Sequence, residues 1–219
     1  MPAGATAMPE ICGFDGDRPA HAPRVLALDT RLPRATPHAQ ERDHARAMAR
    51  TALRQALATH LGCAPQALHV SDERGTPPRL GWAAGGATPL DSIGLSISHA
   101  PGLTLAAWCP HGAVGVDVQA VPHAAVRADL WQTATLFLAP NQLEMLDGQA
   151  SDASFLEAFT RCWAAHEAAL KCAGLALAEY SPALAARLHG VQAAPLTLPG
   201  WAAKGRVAAL AWRAVKTPR

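Results

Sequence analysis

Two side chains that carry oxygen atoms share one side of a short apolar strand. Residues 114–119 read Val-Gly-Val-Asp-Val-Gln. Side chains alternate across a β-strand, so the valines face one way while Asp117 and Gln119 face the other. Two neighbouring oxygen donors suit a hard cation such as Mg²⁺. The polar outer face of an ordinary hairpin has the same pattern, so this strand leaves both interpretations open.

A downstream helix adds a carboxylate and an ammonium group. At about 100° per residue, His166 falls near the middle of an apolar face, Glu167 at its edge and Lys171 roughly 40° further round. A Glu and a Lys one turn apart form either a solvent-exposed pair or part of a cleft floor. His166-Glu167 also opens the zinc-protease pattern HExxH, but Leu170 stands where the second histidine is needed, which excludes that reading.

The surrounding pattern predicts a mixed chain of strands and helices. Ser154 is the expected N-cap of the long helix, with Glu157 completing a capping box and Gly174 ending it. Turn residues at 100–102 and 110–112 suit antiparallel hairpins. The predicted strands cover residues 25–29, 93–98, 103–109, 114–119 and 206–215, and the predicted helices cover 37–62, 139–146 and 154–172, with a turn at 74–78 and a loop at 81–89.

These elements favour an α+β fold of two pseudo-symmetric halves, each a small antiparallel sheet packed with a long helix. We divide the chain into a flexible lead-in at residues 1–24, an N-terminal half at 25–112 and a C-terminal half at 113–219. The second half would carry the metal-binding and catalytic residues.

Composition excludes several classes of protein. The 219 residues carry a formal charge of only +2, too little to argue for nucleic acid. No apolar stretch of about eighteen residues indicates a membrane span, and the N-terminal segment lacks the features of a secretory signal. Five cysteines without CxxC spacing fit a reducing compartment. A cytoplasmic protein is the expectation.

The two motifs together resemble the signature of the 4′-phosphopantetheinyl transferases. Val-Gly-Val-Asp at 114–117 is similar to the family's (V/I)G(V/I)D, and Trp163 to Lys171 is similar to WxxKExxxK. Ser-Ile-Ser-His at 96–99 resembles a strand-end S-H element, and Arg-Gly-Thr-Pro at 74–77 lies where the family shows a GKP turn. The arginine repeats of the first helix resemble the family's basic N-terminal helix. The resemblance covers about residues 25–177, and the length is that of the longer, surfactin-type branch.

The resemblance implies transfer of the 4′-phosphopantetheine arm of coenzyme A to a serine of an acyl or peptidyl carrier protein. Mg²⁺ would be bound by Asp117, Glu167 and Gln119. Glu167 would help to deprotonate the serine, and Lys171 would hold phosphate oxygens. Coenzyme A and the active site would lie in the cleft between the two halves, and a monomer is expected because one chain contains both. The remaining residues implied to contact coenzyme A or carrier are Arg42, Arg74, Gly75, Thr76, Pro77, Arg79, Ser98, His99 and His166.

Three positions depart from the family pattern. His166 replaces the first lysine of WxxKExxxK, Thr76 replaces the lysine of GKP, and Gln119 stands where many longer members carry a third acidic ligand. Two alternatives therefore stay open. One is a non-catalytic relative that binds coenzyme A or a carrier protein. The other is an unrelated magnesium-dependent phosphotransferase or hydrolase.

Overall fold

A computed structural model describes residues 10–11, 22–33, 36–73, 75–85 and 89–214. Arg74 and most of the predicted lead-in lie outside the described residues. The strands are β1 (Glu10–Ile11), β2 (Arg24–Asp29), β3 (Leu68–Val70), β4 (Leu80–Trp82), β5 (Gly94–Ala100), β6 (Leu103–Cys109), β7 (Gly112–Ala120), β8 (Gln192–Pro195) and β9 (Arg206–Ala214). The helices are α1 (His38–Leu61), α2 (Arg127–Phe137), α3 (Pro140–Asp147), α4 (Asp152–Cys172), α5 (Pro182–Leu188) and α6 (Gly200–Ala203), with a 3₁₀ turn at Pro65–Ala67.

The strands form small antiparallel sheets. The first sheet has the order β1-β2-β6-β5, the second has the order β7-β9-β8, and β3 and β4 form a separate pair. Every strand pair within these sheets is antiparallel. The predicted mixed α+β class is therefore confirmed. The division of the chain into domains at 24 and 112 stays a prediction.

Each larger sheet packs against one long helix. One face of the first sheet packs on α1 through Leu53 and Leu57, and one face of the second packs on α4 through Ala164 and Ala168. The other faces of the two sheets share a core, to which β7 contributes Val114, Val116 and Val118. These three valines are at most 3% exposed, so the prediction that they belong to the core is confirmed.

The two sheets meet where β7 runs beside β5, and serine side chains make that junction. Ser96 Oγ accepts the backbone N–H of Val116 at 3.0 Å, and Ser98 Oγ accepts that of Val118 at 3.2 Å. The antiparallel hairpin predicted at 110–112 is wrong. Strand β6 already pairs with β2 and β5 on its two edges, so β7 has no free edge there and pairs with β9 instead.

The start of α4 differs from the prediction. Ser151, not Ser154, is the N-cap: its hydroxyl accepts the N–H of Ser154 at 3.1 Å, and the Ser154 hydroxyl accepts the N–H of Ser151 at 3.2 Å. The helix therefore begins two residues earlier, at Asp152, and Glu157 instead pairs with Arg161 on its surface. The predicted end of the helix is confirmed, since Gly174 has a φ of 66°.

Several strands and helices of the structure were not predicted from the sequence. The predicted loop at 81–89 includes the end of β4, and β1, β3, β8, α2, α5 and α6 were not predicted. Strands of three or four residues carry too few positions for a period to show. None of the helices in the described ranges is long and apolar enough to cross a membrane.

Gly115 allows α4 to lie directly on β7. A Cβ atom at this position would lie 1.9 Å from the carbonyl oxygen of Ala168 and 2.5 Å from the backbone nitrogen of Cys172. Both neighbours are backbone atoms of a helix, which cannot move aside as a flexible side chain does. Position 115 therefore requires glycine because any side chain would collide with α4. This contact sets the distance between α4 and β7.

We expect Gly115→Ala to destabilise the fold by roughly 2–4 kcal/mol, because the methyl group must push α4 away from the sheet. Urea unfolding followed by circular dichroism measures the change. Gly81→Ala in β4 is the matched control, since its Cβ would meet nothing within 4 Å. Equal stabilities of the two variants would contradict the proposed packing constraint.

Candidate active site

Asp117 is the centre of a polar cluster between β5, β7 and α4. The residue is 1% exposed. Its Oδ1 lies 2.6 Å from Lys171 Nζ and accepts the Ser98 hydroxyl at 2.8 Å. Its Oδ2 accepts the side-chain amide of Gln119 at 2.8 Å. Both oxygens of a buried carboxylate are thus held by donors from three elements.

Lys171 pairs with Asp117 and reaches across to the first sheet. Its ammonium group also donates to the Val116 carbonyl and to Ser98 Oγ, each at 3.3 Å. No ion pair joins Lys171 to Glu167 in the described chain. Lys171 therefore pairs with a buried carboxylate on β7 and does not form the Glu167–Lys171 pair that the sequence left open.

Glu167 is held beside Asp117 by an aromatic donor. The Trp163 indole N–H donates to Glu167 Oε1 at 2.9 Å, and the Gln119 amide lies 3.5 Å from Oε2. Burial and the negative charge of Asp117 raise the pKa of Glu167, although Lys171 and the Trp163 hydrogen bond act in the opposite direction. Two carboxylates in one partly buried place favour a proton or a cation between them.

The side chains fit a hard divalent cation by their chemistry. Asp117, Glu167 and Gln119 all carry oxygen donors, and the Gln119 amide bridges the two carboxylates. Only a rotation of that amide is needed to present Oε1 instead of Nε2. The described ranges hold no group of three His, Cys, Asp or Glu side chains placed for a metal. Any metal at this cluster would therefore depend on Gln119 as its third protein ligand.

His99 lies at the end of β5 with cationic neighbours. Its Nδ1 is 2.9 Å from Thr104 Oγ1, which leaves Nε2 as the ring nitrogen that could contact a ligand. Although the side chain has an open edge, partial desolvation lowers the pKa of His99 to about 4, and the charges of Arg46, Lys171 and Arg50 act in the same direction. The ring is neutral at pH 7 and faces a positive surface.

Three residues near the cluster were not among the predicted contacts. Arg46 and Arg50 of α1 affect His99 electrostatically, and Trp163 orients Glu167. Trp163 is itself fixed by Phe159, stacked at 5.9 Å, and Phe137, edge-on at 5.7 Å. The four-residue arginine repeat and the four-residue step from Trp163 to Glu167 were visible signals in the sequence.

His166 is buried away from the polar cluster. It is 7% exposed, and its Nε2 has no hydrogen-bond partner in the described part of the chain. Burial lowers its pKa. Its ring lies 6.2 Å from that of Trp163. The position predicted to touch coenzyme A therefore holds a neutral core side chain.

The remaining predicted contacts lie outside the cluster. Arg42 is exposed near the start of α1, and the exposed turn with Gly75, Thr76, Pro77 and Arg79 joins β3 to β4. Thr76 donates to the Glu73 carbonyl at 3.1 Å. Among the described residues, no hydrogen bond or ion pair links these five residues to the side chains of Asp117, Glu167 or His99.

A cavity of about 610 Å³ lies beside the first half of α4, against β9 and the segment before it. Its charged lining groups already have partners: Glu157 pairs with Arg161 at 2.6 Å, and the Arg206 guanidinium donates to the Ala202 and Pro101 carbonyls at 3.2 and 2.8 Å. The partly uncompensated carboxylates lie in the Asp117 cluster, so we place the chemistry there.

Residues 113–211 match the family model of the 4′-phosphopantetheinyl transferase superfamily. The match begins one residue into β7 and ends within β9, so it includes Asp117, Gln119, Glu167 and Lys171 but not Ser98 or His99. This superfamily moves phosphopantetheine from coenzyme A to carrier proteins, which implies a transferase of the phosphopantetheinyl kind. No match was found among curated proteins.

We expect His166→Lys to destabilise the protein by about 2 kcal/mol or more, because the site offers a buried ammonium group no partner. His166→Leu removes an unpaired polar atom and should stay within about 1 kcal/mol of the wild type. Urea unfolding at pH 7.5 compares the two. A stable His166→Lys variant would show that position 166 reaches solvent or the cluster.

The wild type should lose stability as the pH falls below about 6.5, the ordinary pKa of histidine. The folded pKa of His166 is lowered, so the unfolded chain binds the proton first and is favoured at acid pH. His166→Leu should lose less stability between pH 7 and pH 5, with His99 accounting for part of the remainder. Identical pH profiles would argue against a neutral buried His166.

Proposed function

We propose that this chain transfers the 4′-phosphopantetheine arm of coenzyme A to a serine of an acyl or peptidyl carrier protein, with Mg²⁺ as its cation. The observation that carries the proposal is the convergence of Asp117, Gln119, Glu167 and Lys171 inside the region that matches the superfamily. An unrelated magnesium-dependent phosphotransferase or hydrolase, the third candidate, would use Asp117 and Glu167 in the same way, but it gives no reason for the family match.

The chain's own residues would divide the reaction as follows. Glu167 accepts the proton of the carrier serine, a role favoured by the Trp163 hydrogen bond that fixes its orientation. Lys171 contacts the phosphoryl oxygens and stabilises charge that develops on them. Mg²⁺ held by Asp117, Glu167 and Gln119 would neutralise the pyrophosphate. Adenosine 3′,5′-bisphosphate leaves.

The opposite wall supplies cations for the nucleotide end of coenzyme A. Arg46 and Arg50 lie on α1 near His99, and all three are candidates to contact the 3′-phosphate. A bound phosphate would raise the low pKa of His99 and let it donate a second hydrogen bond. These residues would replace the charges that are missing at Thr76 and His166.

The longer, surfactin-type branch is our preferred assignment within the superfamily. The support is architectural: each of the two larger sheets packs on its own long helix, α1 or α4, within a single chain. A monomer then needs no second copy to complete a cleft.

We expect the purified protein, coenzyme A and Mg²⁺ to add one phosphopantetheine, about 340 Da from its covalent composition, to at least one carrier in a panel of apo-carrier proteins. Intact-mass spectrometry of the carrier measures the gain. Glu167→Gln should lower the rate by at least about 100-fold, because it removes the base and a cation ligand. Glu157→Gln, an exposed carboxylate on the same helix, is the matched control.

A non-catalytic relative is the second candidate. It is favoured by one observation: Lys171 and Gln119 already hold both oxygens of Asp117. Unchanged carrier masses, together with coenzyme A binding by calorimetry, would support this candidate over the transferase. Equal rates for Glu167→Gln and Glu157→Gln would remove Glu167 from the mechanism even if transfer occurs.

A further inference from the structure

We propose that Lys171 and the Gln119 amide act as internal substitutes for the divalent cation, and that metal binding displaces both from Asp117. The proposal rests on the proposed metal site and goes beyond it. Gln119 and Lys171 would then switch between two states: a metal-free cluster in which both contact Asp117, and a metal-loaded cluster in which neither does.

The contacts on Asp117 are those a cation would have to replace. Lys171 Nζ lies 2.6 Å from Oδ1, and Gln119 Nε2 lies 2.8 Å from Oδ2. A divalent cation bound to either oxygen would stand within a few ångströms of the ammonium group, where like charges repel strongly. Lys171 and the metal therefore compete for Asp117 rather than sharing it.

Gln119 has a matching role between the two carboxylates. Its NH₂ group lies 2.8 Å from Asp117 and 3.5 Å from Glu167. A glutamate at position 119 could not donate to either residue and would add a third negative charge. Rotation of the Gln119 amide by half a turn exchanges a donor for an oxygen ligand without moving the backbone.

The Lys171 ammonium group, once displaced, can move toward solvent. The Lys171 side chain is 34% exposed, whereas that of Asp117 is 2% exposed, so Lys171 can swing outward while Asp117 stays in place. An outward Lys171 ammonium group would be free to contact a negatively charged ligand. Metal binding would thus release Lys171 to contact the substrate, so metal binding would come before that contact.

The first measurement follows the lysine in the wild-type protein. The chain has three lysines, Lys171, Lys204 and Lys216, so their ¹⁵N-labelled side-chain ammonium signals can be assigned by substitution. On titration with Mg²⁺, the Lys171 signal should move toward that of the exposed Lys204, while the Lys204 signal stays unchanged. A Lys171 signal that does not move at saturating Mg²⁺ would overturn the proposal.

The second measurement is direct binding of Mn²⁺, detected by electron paramagnetic resonance without coenzyme A or carrier. Lys171→Met removes the competitor and should tighten binding by about tenfold, and Gln119→Glu should tighten it by supplying a third carboxylate. Lys204→Met, at an exposed position, is the control and should bind as the wild type does. Thermal unfolding confirms that each variant is folded. Equal or weaker Mn²⁺ binding by folded Lys171→Met would overturn the proposal.

These measurements separate the switch from the transferase function. Transfer of the arm without movement of Lys171 would support the transferase function and contradict the switch. A chain that shows tighter Mn²⁺ binding in Lys171→Met but no transfer to any carrier keeps the switch and loses the transferase assignment.

Discussion

The candidate site depends on the close contact between α4 and β7 at Gly115. With no side chain at that position, the helix backbone lies directly on the strand. The next two residues on the same side of β7 are Asp117 and Gln119, and the helix residues opposite them are Lys171 and Glu167. A helix held even one or two ångströms further away would separate the groups that now lie 2.6 to 3.5 Å apart. The same close packing of α4 on β7 therefore also determines the distances between the polar side chains of the candidate site.

The second dependence is on the first sheet, which lies outside the region that matches the superfamily model. Ser96 and Ser98 bind the backbone of β7 where a neighbouring strand would otherwise do so, and Ser98 also donates to Asp117. These serines are 4% and 5% exposed. Ser98 was predicted as a coenzyme A contact, yet its hydroxyl is already used by Val118, Asp117 and Lys171. It positions the carboxylate from within the protein.

The sequence predicted the structure correctly where a residue type or spacing is compatible with few local conformations. The alternation at 114–119 and the glycine at 174 predicted a buried valine face and a helix end, and both are confirmed. It was wrong, or left the outcome open, where geometry depends on a third element. The missing edge of β6, which sends β7 into another sheet, and the pairing of Lys171 with Asp117 rather than Glu167 are set by packing between distant segments.

The three departures from the family pattern can be weighed together through charge. With Asp117 and Glu167 ionised and Lys171 protonated, the cluster carries a charge of −1, and a bound Mg²⁺ would bring it to +1. A glutamate at position 119 would reduce that sum to 0. Under the proposed function, Gln119 would leave the metal-loaded cluster more attractive to a pyrophosphate than a glutamate would. Attraction between close charges in a partly buried place is large enough for one unit of charge to matter. The change at position 119 would thus act in the opposite sense to the loss of cations at positions 76 and 166.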